Sequence, residues 1–386
     1  MNPNSRLSRR SAVEPFHVME VVRQAALRQA AHGDAILLCV GQPATPAPEP
    51  ARRAASEALD RDVLGYTETA GMPSLRRAVA DLYRRRHGLD VSPGEVVITT
   101  GSSGGFQLAL LAALDAGQTV AMARPGYPAY RNTIEALGLR VLDLDCGHET
   151  RFQPTAALLD SLPTRPDAVV IASPANPTGT VVDPRELAAI ARWGAESGCL
   201  LLSDEIYHGI EFGDATTASA WQTSRDAVVI GSVSKYFSMT GYRLGWLLAP
   251  EPLRGRIELL QGNLAICAPA ISQVAAIGAL SDAARPELDA HVARYATNRD
   301  LLLRRLPELG ITDFAPPDGA FYAYCDVAHL TRDSLAWCAD ILARTGVALT
   351  PGIDFDRAQG AHTIRFSFCG AIAELDEGLD RLVAAL

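Results

Sequence analysis

The chain has 386 residues, 48% of them hydrophobic and 20% charged, a composition that suits a globular protein with one large and one smaller domain, or two of similar size. Its 35 basic against 44 acidic side chains leave a net charge of -9 with no basic block beyond Arg84-Arg85-Arg86, which argues against nucleic acid as the main partner. No apolar stretch reaches the roughly 20 residues that span a bilayer, the polar opening Met1–Arg10 lacks an apolar signal core, and the seven cysteines form no Cys-x-x-Cys pair, so reduced thiols in a cytoplasmic protein are expected.

In chain order, an amphipathic helix over about Pro15–His32 leads into an apolar run, Ile36–Val40, and then a Pro-rich connector, Pro43–Pro50. Short apolar runs follow at Val96–Thr100, Thr119–Ala123, Ala168–Ala172, Cys199–Ser203, Val228–Gly231 and Leu244–Ala249. Helix-like stretches separate most of them, including Phe106–Leu114, Tyr127–Leu137 and Pro184–Ser197, and Arg84–Arg86 is expected on the solvated face of a helix. Strands alternating with helices predict a mainly parallel sheet covered on both faces. A long helix over Pro286–Leu306 then precedes two strand-like runs, Ala320–Cys325 and His362–Phe368, with a helix between them. The expected organisation is an arm and part of a small domain in 1–48, a large domain in 49–285, and the rest of a small α+β domain in 286–386. The eight histidines show no spacing such as His-x-x-x-His, so no metal site is expected.

Ligands of open parallel sheets bind beyond the carboxyl ends of the strands, and five consecutive strand ends carry polar groups. After the first comes Gly101-Ser102-Ser103-Gly104-Gly105, a Gly-rich turn into a helix N-terminus suited to phosphate. After the second, Arg124-Pro125-Gly126-Tyr127 offers an aromatic that can stack on a heterocycle. The third delivers Asn176 in Ser173-Pro174-Ala175-Asn176-Pro177-Thr178-Gly179, and the fourth Asp204 in Asp204-Glu205-Ile206-Tyr207. An aspartate at the mouth of an apolar strand is costly unless it meets a cation or a donor. The fifth delivers Ser232-Val233-Ser234-Lys235, with Arg243 eight residues on in Gly241-Tyr242-Arg243-Leu244-Gly245. Hydroxyls and a guanidinium bind phosphate well, and a lysine beside them suggests an amine that bonds to a phosphorylated cofactor.

With these motifs in this order, the chain resembles the class I/II aminotransferases, fold type I enzymes that use pyridoxal 5'-phosphate, from about Ser11 to the C-terminus. The resemblance implies a mainly parallel seven-stranded sheet sandwiched by helices, with a smaller α+β domain formed by both chain ends. It implies that Lys235 holds the cofactor aldehyde as a Schiff base and carries protons. Ser232, Ser234, Arg243 and the backbone of Gly104, Gly105 and Phe106 would bind the phosphate. Tyr127 would stack on the ring, Asn176 and Tyr207 would meet its phenolic oxygen, and Asp204 would pair with its nitrogen. Tyr66, in Gly65-Tyr66-Thr67, would reach the neighbouring active site of a homodimer, Arg365 would grip the substrate α-carboxylate, and Asn176 and the backbone of Gly41 would lie against the substrate.

For the substrate side chain, aspartate-using relatives often carry a lysine after the phosphate-binding Gly-Gly, and Phe106 is read at that position here. With Phe16 as a second wall and no Arg or Lys between about Leu259 and Gln273, a second carboxylate would be unpaired. A neutral aliphatic donor such as alanine or valine is expected, with pyruvate or 2-oxoglutarate as acceptor. The rival readings are an aspartate:2-oxoglutarate aminotransferase, a β-lyase or amino-acid decarboxylase of the same fold, and a serine hydrolase. The hydrolase would use Ser103 of a Gly-x-Ser-x-Gly turn with His362 as base. That reading leaves Lys235, Asp204, Asn176 and Arg365 without roles.

Overall fold

The computed structural model describes residues 7–386, so the first six residues of the polar N-terminal stretch lie outside the described residues. The strands in chain order are β1 (Ile36–Leu37), β2 (Val96–Thr99), β3 (Thr119–Arg124), β4 (Arg140–Asp145), β5 (Ala168–Ala172), β6 (Leu200–Asp204), β7 (Val228–Ser232), β8 (Gly245–Leu248), β9 (Tyr322–Asp326), β10 (Val347–Ala348), β11 (Thr350–Pro351) and β12 (Thr363–Ser367). Seven of them form the main sheet in the order β2-β8-β7-β6-β5-β3-β4. Strands β3 to β7 run parallel, and β8 is antiparallel to both β2 and β7. The expected mainly parallel seven-stranded sheet is therefore present.

Alternate residues along each strand feed two cores, as a pleated strand dictates. Ile98, Val169, Ile171, Leu201 and Val229 face helices Pro73–His87, Pro184–Ser197 and Ala270–Ala279. Val97, Val120, Val170, Leu202, Ile230 and Leu247 face helices Gly101–Ala113, Pro128–Ala136 and Glu251–Leu264. Burial on both faces explains why the central strands read as continuous apolar runs. The edge strand β4 does not, because its sequence RVLDLD alternates with one side wet, and the apolar-run criterion passed over it.

The helix expected over Phe106–Leu114 spans Gly101–Ala113. The glycines that suggest a turn form its first turns, where low intrinsic helix propensity is overridden by packing against the sheet. Both chain ends meet in a second layer: β1 pairs in parallel with β10, and β11-β12-β9 make an antiparallel sheet. That layer packs with helices Arg285–Arg305, Ser334–Thr345 and Ile372–Ala385 around Tyr295, Phe321, Ile341, Phe366 and Leu379. No helix among the described residues is long and apolar enough to cross a membrane.

Candidate active site

The carboxyl ends of β3, β5, β6 and β7, the start of helix Gly101–Ala113 and the middle of β12 converge on one cavity of about 270 Å³. Its wall includes Phe16, Gly41, Phe106, Tyr127, Asn176, Asp204, Tyr207, Ser234, Lys235, Arg243 and Arg365. Residues expected from eight separate stretches of sequence thus share one space.

Lys235 is half-buried and donates to the Gly41 carbonyl at 2.9 Å. Burial disfavours its ammonium and lowers its pKa to about 8, aided by the Arg365 and Arg243 charges. The neutral amine is therefore accessible near physiological pH. A side chain at Gly41 would collide with the Tyr322 hydroxyl at 1.6 Å, so only glycine fits there.

Asp204 is buried. Its Oδ2 accepts the Tyr130 hydroxyl and its Oδ1 accepts the Ile206 N–H at 3.2 Å. Burial raises its pKa to about 6, while those donors and the Lys235 charge pull it down. A carboxylate held this way gains from a cation placed against it.

Arg365 is buried in the central strand of the small sheet and meets no carboxylate within ion-pairing distance among the described residues. It donates to Asn176 Oδ1 at 2.7 Å, to the Cys39 carbonyl and to Thr350 Oγ1 at 3.2 Å, and its Nε has no partner. The guanidinium lies 4.4 Å from the Tyr322 ring and 4.7 Å from that of Phe355. A buried cation with neutral partners and an orphaned N–H is built to receive an anion.

The anion cradle at the other end differs from the expectation. A helix leaves its first N–H groups unpaired; with Thr100 as N-cap and no side-chain cap, these belong to Thr100, Gly101, Ser102 and Ser103. The N–H groups of Gly104, Gly105 and Phe106 are inside the helix, and Gly104 and Gly105 are not part of the cavity wall. The backbone donors lie two residues earlier than the Gly-Gly pair suggested, at Ser102 and Ser103, which do line the cavity. A side chain at Gly101 would meet Arg243 Nη2 at 2.7 Å, so the Arg243 guanidinium stands at this helix end. Ser232 sits behind the wall: its Oγ accepts the Ser234 N–H at 3.0 Å and lies 2.9 Å from Ser234 Oγ. Ser234 itself faces the cavity.

The Phe106 ring packs 5.1 Å from that of Tyr130, the residue bonded to Asp204, so it flanks the aspartate. Tyr127 lies edge-on to Tyr130 at 5.3 Å and to Phe16 at 5.9 Å. Tyr207 and Tyr322 share a hydroxyl contact of 2.9 Å. Tyr66 is outside the cavity and 82% exposed.

Sequence reasoning missed Tyr130 and Tyr322. Tyr130 stands three residues after Tyr127 on one helix face, a usable signal; Tyr322 sits in an apolar strand and gave none. The hydrolase reading fails on placement, because no histidine lines the Ser103 cavity, and His362 borders a different one and bonds Asp326 at 2.8 Å.

These residues fit pyridoxal 5'-phosphate. The site has one amine of lowered pKa, an anion cradle of free N–H groups with Ser234 and Arg243, and a buried carboxylate; it also has an unpaired arginine for a second anion.

A family model described as aminotransferase class I and II matches residues 33–382. The valine–pyruvate aminotransferase of Mycobacterium tuberculosis is 54% identical over 378 residues, covering 98% of this chain and 97% of that protein. The crystal structure of an aminotransferase from Mycobacterium tuberculosis superposes with a TM-score of 0.97 at 54% identity, over 99% of each chain. The aspartate aminotransferase from Thermus thermophilus, solved with maleate, superposes with a TM-score of 0.92 at 30% identity, over 99% of this chain and 100% of that one.

Proposed function

Since the chain belongs to the class I and II aminotransferases, enzymes that work through pyridoxal 5'-phosphate, we propose that it transfers the amino group of a small aliphatic L-amino acid, valine or alanine, to pyruvate. The observation that carries this reading is the inventory of the cavity. Among the described residues its only Lys and Arg side chains are Lys235, Arg243 and Arg365, one each for the aldehyde, the phosphate and the α-carboxylate. None remains for a distal carboxylate, and Phe16, Val18, Met19 and Val40 form an apolar side of the wall. The 54% identical relative is named for valine and pyruvate, which supports the same choice. 2-Oxoglutarate, the other expected acceptor, carries a distal carboxylate and is disfavoured on the same ground.

When bound, the cofactor supplies an electrophilic aldehyde carbon and a ring that accepts the electron pair released at the substrate Cα. Asp204 would hold a proton on the ring nitrogen, as its buried carboxylate gains from a cation there. Arg365, fixed by Asn176 and Thr350, grips the α-carboxylate as a two-pronged donor and orients the Cα–H bond. Lys235, whose amine lies in the same cavity, would serve as the general base for that proton and would carry it. Ser102, Ser103, Ser234 and Arg243 hold the phosphate, with Ser232 fixing Ser234 from behind. Tyr127 would pack on the ring, and Asn176 and Tyr207 would meet its phenolic oxygen, with Tyr322 holding the Tyr207 hydroxyl. The proposal includes a cytoplasmic homodimer in which Tyr66 reaches the other subunit's phosphate cradle, and a division into domains near residues 48 and 285.

An amino-donor panel against pyruvate and 2-oxoglutarate tests the reading. Valine and alanine with pyruvate should exceed aspartate in kcat/KM by at least about tenfold, or 1.4 kcal/mol. The opposite preference by the same factor overturns the substrate assignment. Stoichiometric ammonia and pyruvate without an acceptor would mean a lyase.

A further inference from the structure

Behind Asp204, three side chains that the proposed chemistry does not use converge from two elements. His87 ends helix Pro73–His87, Glu205 follows Asp204, and His208 lies in the next turn. His87 Nε2 and His208 Nδ1 are 3.1 Å apart, and His208 Nδ1 is 3.6 Å from Glu205 Oε2. One donor atom from each of the three residues lies within 4.8 Å of those of the other two.

The Glu205 and His208 side chains are only 2% and 4% exposed, yet neither is satisfied. Glu205 Oε1 accepts from Ser203 Oγ, Ser219 Oγ and the Ala220 N–H, at 3.0, 3.0 and 2.9 Å, while Oε2 has no partner. His208 Nε2 also has none. A void of about 10 Å³ borders all three residues, about the room one water-sized particle needs.

We propose that His87 Nε2, His208 Nδ1 and Glu205 Oε2 ligate one divalent transition-metal ion of the zinc type, with a water in the fourth position. A tetrahedral ion with bonds of about 2.0–2.1 Å holds neighbouring donors roughly 3.3 Å apart, and the 3.1 and 3.6 Å separations bracket that value. Two imidazoles and one carboxylate are a zinc set, whereas magnesium and calcium take mainly oxygens. Burial keeps both imidazoles unprotonated, lowering His87 to about 4 and His208 well below its ordinary value, so no proton must be displaced from them. Burial raises Glu205 to about 8; a cation at Oε2 opposes that shift. His87 also sits at the negative end of its helix dipole.

The nearest fixed cation, Arg86, is turned elsewhere. It donates to the His208 carbonyl at 2.9 Å, stacks 4.8 Å over Tyr236 and forms no ion pair with Glu205. The ion ties the end of helix Pro73–His87 to the residue after Asp204 and so braces the strand end that carries that carboxylate. The site is independent of the choice of amino donor.

The test uses holoenzyme stripped with a chelator, desalted, and titrated with Zn²⁺ and with Co²⁺, with bound metal measured by elemental analysis. Wild type should bind about one ion per chain, with the visible bands of tetrahedral cobalt. His87→Ala, which removes a half-buried ligand, should weaken binding by at least about tenfold; His148→Ala, in another cavity, should leave it unchanged. His208→Ala should match His87→Ala where it folds. Wild type that binds no stoichiometric metal, or binds it as tightly as His87→Ala, overturns the site.

Discussion

A guanidinium that is 3% exposed and meets only an amide, a hydroxyl and a carbonyl keeps its charge at a cost unless an anion arrives. Substrate binding supplies one, so the arginine's fork geometry matters as well as its charge. Arg365→Lys keeps the charge and loses the fork. Loss of one charge-assisted hydrogen bond, about 1.5–3 kcal/mol, should lower kcat/KM for valine by about tenfold or more, mostly through KM. A change under about threefold would place the carboxylate elsewhere. Lys235 offers a pH test. Its reactive form is the free amine, and burial lowers its pKa to about 8, so reactivity is lost as pH falls through 8. In cofactor-free protein, acylation of Lys235 followed by mass spectrometry should show its midpoint near 8; a midpoint in the ordinary lysine range of about 10.4 would contradict it. Lys235→Ala should cost transamination at least about 10²–10⁴-fold.

At the scale of elements, the helix His17–His32 places Val18 and Met19 in the cavity wall, with Phe16 as its N-cap. It has no side-chain cap of its own. Asp354 supplies one from 337 positions away, accepting the His17 and Val18 N–H groups at 2.8 Å each. Asp354→Ala should cost about 0.5–2 kcal/mol of stability. Because that cap sets the apolar wall, KM for valine should rise while KM for pyridoxal 5'-phosphate stays put. A lowered melting temperature with unchanged valine KM would show that the helix only stabilises the fold. Such pairings explain what could be read from the sequence. The central strands announced themselves because both faces are buried, and Tyr127, Asn176, Asp204 and Lys235 followed from their places at strand ends. The edge strand Arg140–Asp145 did not, being half wet. The glycine run concealed the true helix start and displaced the expected anion donors from Ser102 and Ser103 to Gly104–Phe106. His87 and His208, 121 positions apart, show no motif spacing, because only the tertiary fold brings them together.

At the scale of the whole molecule, the surface beside the phosphate cradle is apolar and uncovered. Val63 is 98% exposed, Tyr66 82%, Leu264 66% and Ile266 48%. Residues 64–66, 265 and 267–270 border one open cleft together with Thr100, the N-cap of the helix whose free N–H groups face the proposed phosphate site. Scattered exposed apolar residues are ordinary, but a contiguous set of this kind is where the proposed homodimer would meet, and it adjoins an active site whose Arg243 is itself exposed. A second copy covering this face would bury these side chains and bring its Tyr66 hydroxyl to the cradle of the first. Val63→Asp places a charge in that contact and should convert a dimer to monomer in sedimentation velocity, with activity falling in step with dissociation. Tyr66→Phe should leave the dimer intact and weaken pyridoxal 5'-phosphate retention by about tenfold or more, the loss of one hydrogen bond to a charged group. If wild type sediments as a monomer at full activity, the active site is complete within one chain and Tyr66 has no part in it.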